Sequence, residues 1–138
     1  MTDERGKIIG GWCGKLLYVD LSTSKVWEEA LPEELVAKYI GGAGLNAKLF
    51  YDLTEDDPGL DPLAPENPII IGVGPLVGTV FPAASRYTIT SKSPLTGIFG
   101  DSNAGGFFPV RMKQAGYDHI VIRGQADKPT ALVIHQDK

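Results

Sequence analysis

Residues 82–116 read Pro-Ala-Ala-Ser-Arg-Tyr-Thr-Ile-Thr-Ser-Lys-Ser-Pro-Leu-Thr-Gly-Ile-Phe-Gly-Asp-Ser-Asn-Ala-Gly-Gly-Phe-Phe-Pro-Val-Arg-Met-Lys-Gln-Ala-Gly. Arg86 to Ser91 alternates as a strand should, with Tyr87 and Ile89 on one face and Arg86 and Thr88 on the other. A Ser-Pro-Leu-Thr-Gly turn follows, then a second short strand at Gly97–Gly100. Asn103-Ala104-Gly105-Gly106 leads into a short helix over Phe107–Ala115, where Pro109 is tolerable only in a first turn and Gly116 caps the end. This reading brings an arginine, an asparagine and a glycine-bared helix start into one short span. Free N–H groups and a positive dipole end suit phosphate. Glycines let a ligand approach the backbone closely.

Working outward, Lys15–Leu21 and Val26–Ala30 flank a Ser22–Lys25 turn and read as a hairpin. Pro32, Glu33 and Glu34 start a helix that carries Leu35, Val36, Tyr39 and Ile40 and stops at Gly41-Gly42. A second helix from about Gly44 presents Leu45, Leu49, Phe50 and Leu53 on one side. Residues 54–68 hold four prolines and five acids and read as a solvated loop without calcium-loop spacing. Pro68–Gly74 is a buried strand and Pro75–Thr79 a turn. His119–Gly124 and Thr130–His135 read as the last two strands. The expected fold class is α+β: a β-rich domain of mostly antiparallel sheet with two or three short helices. Residues 1–11 form a flexible N-terminal tail and 12–138 the domain.

The totals fit one globular domain of 138 residues, 43% apolar and 22% charged. A net charge of −4 and no basic stripe argue against nucleic acid. No apolar run approaches membrane-spanning length, and Met1–Lys7 lacks a signal-peptide core. A cytoplasmic location is the default. Cys13 stands alone, so it can neither close an internal disulfide nor hold an iron–sulfur cluster, and it reads as a half-buried thiol. His119 and His135 read as strand-edge residues without a second ligand at metal spacing. Lys92 reads as solvated and Asp101 as structural. No nucleophile–base arrangement emerges, so no catalytic residue is assigned.

Seven pieces in order resemble the N-terminal domain of the aldehyde ferredoxin oxidoreductase family, the tungsten-pterin enzymes. They are Gly14–Thr23, Gly41–Leu45, Asp61–Asn67, Gly74–Thr79, Ser85–Tyr87 with Ser91–Gly97, Asn103–Gly106 and Lys113–Asp118. The resemblance covers Trp12 to Ile134. It implies a β-rich base on which two pterins chelating one tungsten (or molybdenum) lie. It places Arg86 between pterin and a nearby iron–sulfur cluster. Asn103, Ala104, Gly105 and Gly106 would meet the pterin phosphates, with Asn103 holding a bridging magnesium ion through its backbone. The cluster's cysteines come from later domains of the family, so their ligands are not in this chain. The resemblance implies a fragment or split subunit that needs the remaining domains, oxidises aldehydes with ferredoxin as acceptor, and does not turn over alone. Related reductases act on aromatic thioesters, so substrate class stays open. A second reading, a non-catalytic binding or assembly module that kept the fold, also stays open, as does a homo-oligomer.

Overall fold

The computed structural model describes residues 10–135. The chain order is β1 (Lys15–Asp20), β2 (Lys25–Ala30), α1 (Glu33–Lys38), α2 (Ala43–Thr54), β3 (Ile69–Val73), β4 (Arg86–Lys92), β5 (Phe99–Gly105), α3 (Phe108–Gln114) and β6 (His119–Arg123). The six strands form one sheet in the order β2-β1-β6-β3-β4-β5. Only the β1–β6 pairing is parallel; the other neighbours run antiparallel. The expected α+β class, mostly antiparallel with three short helices, is what the chain forms.

Alternation along the strands divides the core into two. On one face Leu16, Ile70 and Val121 pack with Leu31 and with Leu45 and Leu49 of α2. On the other, Leu17, Val19, Val73 and Ile120 pack with Val77 and with Met112 of α3. Removing these side chains from water drives the layering, at roughly 25 cal/mol per Å² of apolar surface. α2 buries Leu45, Asn46 and Leu49, whereas Leu53 stays 37% exposed. A buried asparagine therefore completes the stripe that leucine was expected to fill. α1 buries no residue and ends at Lys38, short of the Gly41-Gly42 stop. Gly41 has φ +97°, and a Cβ there would lie 2.7 Å from the Trp12 ring and 2.9 Å from the Val73 carbonyl oxygen.

Three expectations change. First, β5 runs from Phe99 through Gly105, so Asn103, Ala104 and Gly105 lie in a strand and not in a bend at a helix start. Their backbone pairs with β4, which an isolated polar stretch cannot reveal. Second, Thr130–His135 is not a strand. It instead lays Ile134 against the α3-side core. Third, His119 is fully buried, because β6 sits in the sheet interior between β1 and β3. Most of the tail 1–11 lies outside the described residues. Of its last two residues, Gly11 has its carbonyl oxygen taken by Lys113 Nζ at 2.6 Å. Cys13 is half-buried, as expected.

Candidate functional site

β4 and β5 form the hairpin that carries the expected ligand residues. Its register sets Arg86 opposite Gly105, Tyr87 opposite Ala104, Thr88 opposite Asn103 and Thr90 opposite Asp101. Directly opposed side chains share a face. Arg86, Thr88, Asp101, Asn103 and Gly105 therefore lie together on the α2 side of the sheet, with Arg86 and Thr88 about 7 Å apart along the strand. Ala104 belongs to the other face, opposite Tyr87, so it can meet a ligand at Arg86 only through its backbone.

The strip splits into a covered half and an open half. α2 lies over the start of β5, where Phe50 meets Phe99 edge-on at 5.4 Å between ring centroids. Its N-terminal end comes near Thr88: a Cβ at Gly42 would lie 3.7 Å from Thr88 Oγ1. Past that point Arg86, Asn103 and Gly105 are exposed while Thr88 is buried. The first turn of α2 has no side-chain cap and no acidic residue, and nothing lies within 4 Å of a Cβ built at Gly44. The glycine-bared helix start nearest this strip is thus that of α2, beside Thr88, and not the one expected after Gly106. α3, by contrast, begins at Phe108 with Pro109 in its first turn and Phe107 before it.

Gly105 sits where a side chain would be crowded. A Cβ there would meet the Ser85 carbonyl oxygen at 3.1 Å and Arg86 Cδ at 4.0 Å. The hydroxyl of Ser85 closes the hairpin end by donating to the Gly106 carbonyl oxygen. Gly106 has φ +94°, a left-handed conformation that strains any L side chain.

Asn103 is held on both sides of its amide. Thr88 Oγ1 donates to Asn103 Oδ1 at 2.8 Å, and Asn103 Nδ2 donates to Asp101 Oδ2 at 3.0 Å. With its side chain engaged, Asn103 offers a ligand its backbone. β5 is an edge strand, so alternate carbonyl and N–H groups along it face away from the sheet. The donor set is an always-charged planar fork, a locked asparagine and a bare strand end. It fits a phosphate-bearing planar group. Among the described residues no cluster of three or more His, Cys, Asp or Glu could hold a metal ion. Lys92 lies on the same face at the far end of β4, opposite Phe99, and its Nζ donates to the Pro58 carbonyl oxygen at 3.2 Å.

Beneath the strip lies a network that sequence reading missed. Asn46, fully buried on α2, donates through Nδ2 to the carbonyl oxygens of Ile70 (3.2 Å) and Thr88 (3.1 Å) and to Thr90 Oγ1 (3.1 Å). Three acceptors around Nδ2 turn Oδ1 toward His119 Nδ1, 2.8 Å away. His119 Nδ1 therefore carries the hydrogen, and Nε2 is a buried acceptor without a partner among the described residues. Burial, with the Lys113 charge adding to it, lowers the His119 pKa to about 3, so the ring is neutral. The one available signal was the asparagine at a core position of α2.

The fold so described is an α+β domain that leaves Arg86, Asn103 and Gly105 exposed at one edge of its sheet. Residues 16–138 match the family described as aldehyde ferredoxin oxidoreductase, N-terminal domain. The chain is 45% identical over 128 residues to a tungsten-containing aldehyde ferredoxin oxidoreductase of Pyrococcus furiosus, covering 93% of this chain and 21% of that protein. A second relative from the same organism, an aliphatic sulfonate oxidoreductase WOR-like subunit, is 40% identical over 125 residues, 90% of this chain and 20% of its own length. Among solved structures, a chain of the active-site complex of benzoyl coenzyme A reductase with 1,5-dienoyl-CoA superposes with a TM-score of 0.84 at 33% identity, covering 88% of this chain and 18% of that one. The chain belongs to the aldehyde ferredoxin oxidoreductase family, as its N-terminal domain. It spans about a fifth of the length of the curated relatives it matches. No described helix is long and apolar enough to cross a membrane.

Proposed function

We propose that this domain is the platform on which a tungsten (or molybdenum) bis-pterin cofactor rests in a larger oxidoreductase. That enzyme oxidises aldehydes to carboxylic acids and passes the electrons to ferredoxin. The observation that carries this reading is the pairing of Arg86 with Gly105 across one exposed strand pair, with Asn103 locked two residues away on the same face.

The bound cofactor supplies the redox chemistry. The residues of this chain orient it and set its electrostatics. Arg86 would offer a fork of donors and a fixed positive charge to an anionic edge of the pterin. Gly105 and Gly106 keep side chains clear of the phosphates. Asn103 would hold a magnesium ion through its backbone oxygen, with Ala104 contributing backbone only. The iron–sulfur cluster's cysteines belong to chain beyond this domain, so the domain alone does not turn over. Val80, Phe81, Leu95 and Phe107 are exposed apolar side chains that the remaining domains would cover. The named relatives act in different chemistries, so the aldehyde is the substrate class proposed from the family.

Arg86→Ala in the cofactor-loaded enzyme tests the reading. Turnover or tungsten-pterin content should fall about 10–100-fold, as when a residue that orients a metal centre is removed. Stability should stay within about 0.5 kcal/mol, because Arg86 is exposed. Unchanged turnover together with unchanged cofactor content overturns it.

A further inference from the structure

We infer that the Thr88 hydroxyl, aimed by Asn46 and His119, is the positioning group that fixes Asn103 for its ligand. The inference rests on the platform reading and adds residues that touch no cofactor themselves.

The hydrogen bonds run in one direction from the sheet interior to its edge. His119 Nδ1–H donates to Asn46 Oδ1, Asn46 Nδ2 donates to the Thr88 carbonyl oxygen, Thr88 Oγ1 donates to Asn103 Oδ1, and Asn103 Nδ2 donates to Asp101 Oδ2. Four elements contribute: β6, α2, β4 and β5. Each donor in this chain meets an acceptor that has no hydrogen to offer back, so the chain cannot reverse. His119 is neutral, and its one proton is committed to Asn46. The asparagine amide is thereby held with its nitrogen toward β4. That orientation fixes the backbone of Thr88, and the hydroxyl of the buried Thr88 side chain donates to Asn103.

Without that donor the Asn103 amide would be free to turn about its side-chain bonds, since its remaining partner, Asp101, is exposed. A turning amide would compete with its own backbone for the ligand. The Thr88 hydroxyl removes that competition.

A matched pair of substitutions separates this role from simple core packing. Thr88 and Thr90 lie on the same strand and face, both are buried, and both accept a hydrogen bond from Asn46. Only Thr88 reaches Asn103. Thr88→Val and Thr90→Val remove one hydroxyl each at nearly constant shape. In the cofactor-loaded enzyme, magnesium and pterin retained per tungsten-grown preparation after dialysis should fall about ten-fold for Thr88→Val and clearly less for Thr90→Val, which removes one acceptor of Asn46 but leaves the Thr88–Asn103 bond in place. In the chain itself, the Asn103 side-chain amide nitrogen should show conformational exchange in Thr88→Val alone, because the bond lost there is the one that holds Oδ1. Equal effects of the two substitutions on exchange, or no change in Thr88→Val, overturn the inference. If the exchange result holds but Thr88→Val and Arg86→Ala both leave cofactor retention intact, the platform reading fails while the positioning of Asn103 stands.

Discussion

Asp118 begins no element and carries no expected role, yet it organises one end of the domain. Its Oδ1 accepts from the Cys13 N–H at 3.1 Å and from Lys113 Nζ, and its Oδ2 accepts from the Gly14 N–H at 2.7 Å. Lys113 Nζ also donates to the Gly11 carbonyl oxygen and lies 5.3 Å from the Trp12 ring centroid. Both side chains are nearly lost to solvent, at 6% and 0% exposed. A buried pair of this kind contributes little against an apolar replacement, but breaking it leaves a stranded charge. Asp118→Ala should therefore lower the unfolding free energy by about 3–5 kcal/mol in urea titrations. The double variant Lys113→Met, Asp118→Leu should recover part of that loss. It should not recover all, because two backbone N–H groups of residues 13 and 14 lose their acceptor, at about 1–3 kcal/mol each when buried. A double variant no better than the single one would count against the stranded-charge account. The sequence shows Lys113 and Asp118 as two ordinary charges five residues apart. Their burial depends on a segment some 100 residues distant, which no local pattern encodes. Arg86, Asn103 and Gly105 were readable only as a motif. Thr88 and Asn46 were not, because their function is to contact each other's surroundings.

Among the elements, β3 shows how little space separates the sheet from α2. A Cβ on Gly72 would lie 2.1 Å from Asn46 Oδ1 and 2.3 Å from His119 Nδ1. Neither atom can retreat, since each is bound to the other. Gly72→Ala should cost about 3 kcal/mol or more, the upper range of overpacking. Gly44→Ala supplies the contrast. Gly44 sits in α2, its Cβ would meet nothing within 4 Å, and its φ is not positive. That change should stabilise the chain by about 0.5–1 kcal/mol. Thermal melts of the two variants should move in opposite directions, and a shift of the same sign in both would refute the close-packing argument. β1, β3, β4 and β6 were legible because alternating or continuous apolar residues mark a strand with at least one buried face. β5 was read only at its apolar start: Asp101-Ser102-Asn103 carries no alternation because an edge strand here has little to bury. Thr130–His135 carries a continuous apolar run, as a strand can, and still forms none. Periodicity records which side chains turn inward, and Ile134 does so against α3 without a pairing partner for its backbone.

Over the whole molecule, the decisive feature is the insertion of β6 between β1 and β3. Hairpins between neighbours in sequence follow from short turns, but this pairing joins Leu16–Asp20 to His119–Arg123 across nearly the full chain. It moves His119 from an expected edge to the interior, where the domain's acid sensitivity then resides. The ring takes a proton with an ordinary pKa near 6.5 in the unfolded chain, but only near pH 3 in the fold. Burial disfavours the imidazolium, and Lys113 adds repulsion. A depressed folded pKa means that the stabilisation is complete above about pH 6.5. Below it the unfolded state binds a proton that the fold refuses, so stability falls with pH until the folded pKa is reached. The slope approaches 1.4 kcal/mol per pH unit, about ten-fold in the folding equilibrium. Asp20 and Glu28 are also held below their ordinary pKa values, Asp20 chiefly by the Thr23 backbone N–H and Glu28 chiefly by Lys15. Those carboxylates add their losses only at lower pH, which leaves the interval between pH 6 and 5 to the histidine. Urea unfolding of the parent should lose about 1 kcal/mol across that interval. His119→Gln keeps a donor for Asn46 and has no proton to gain, so its unfolding free energy should stay level there whatever its absolute value. Parallel curves for the two proteins would mean that the imidazole does not control the acid limb, and that the interior of the sheet admits the charge.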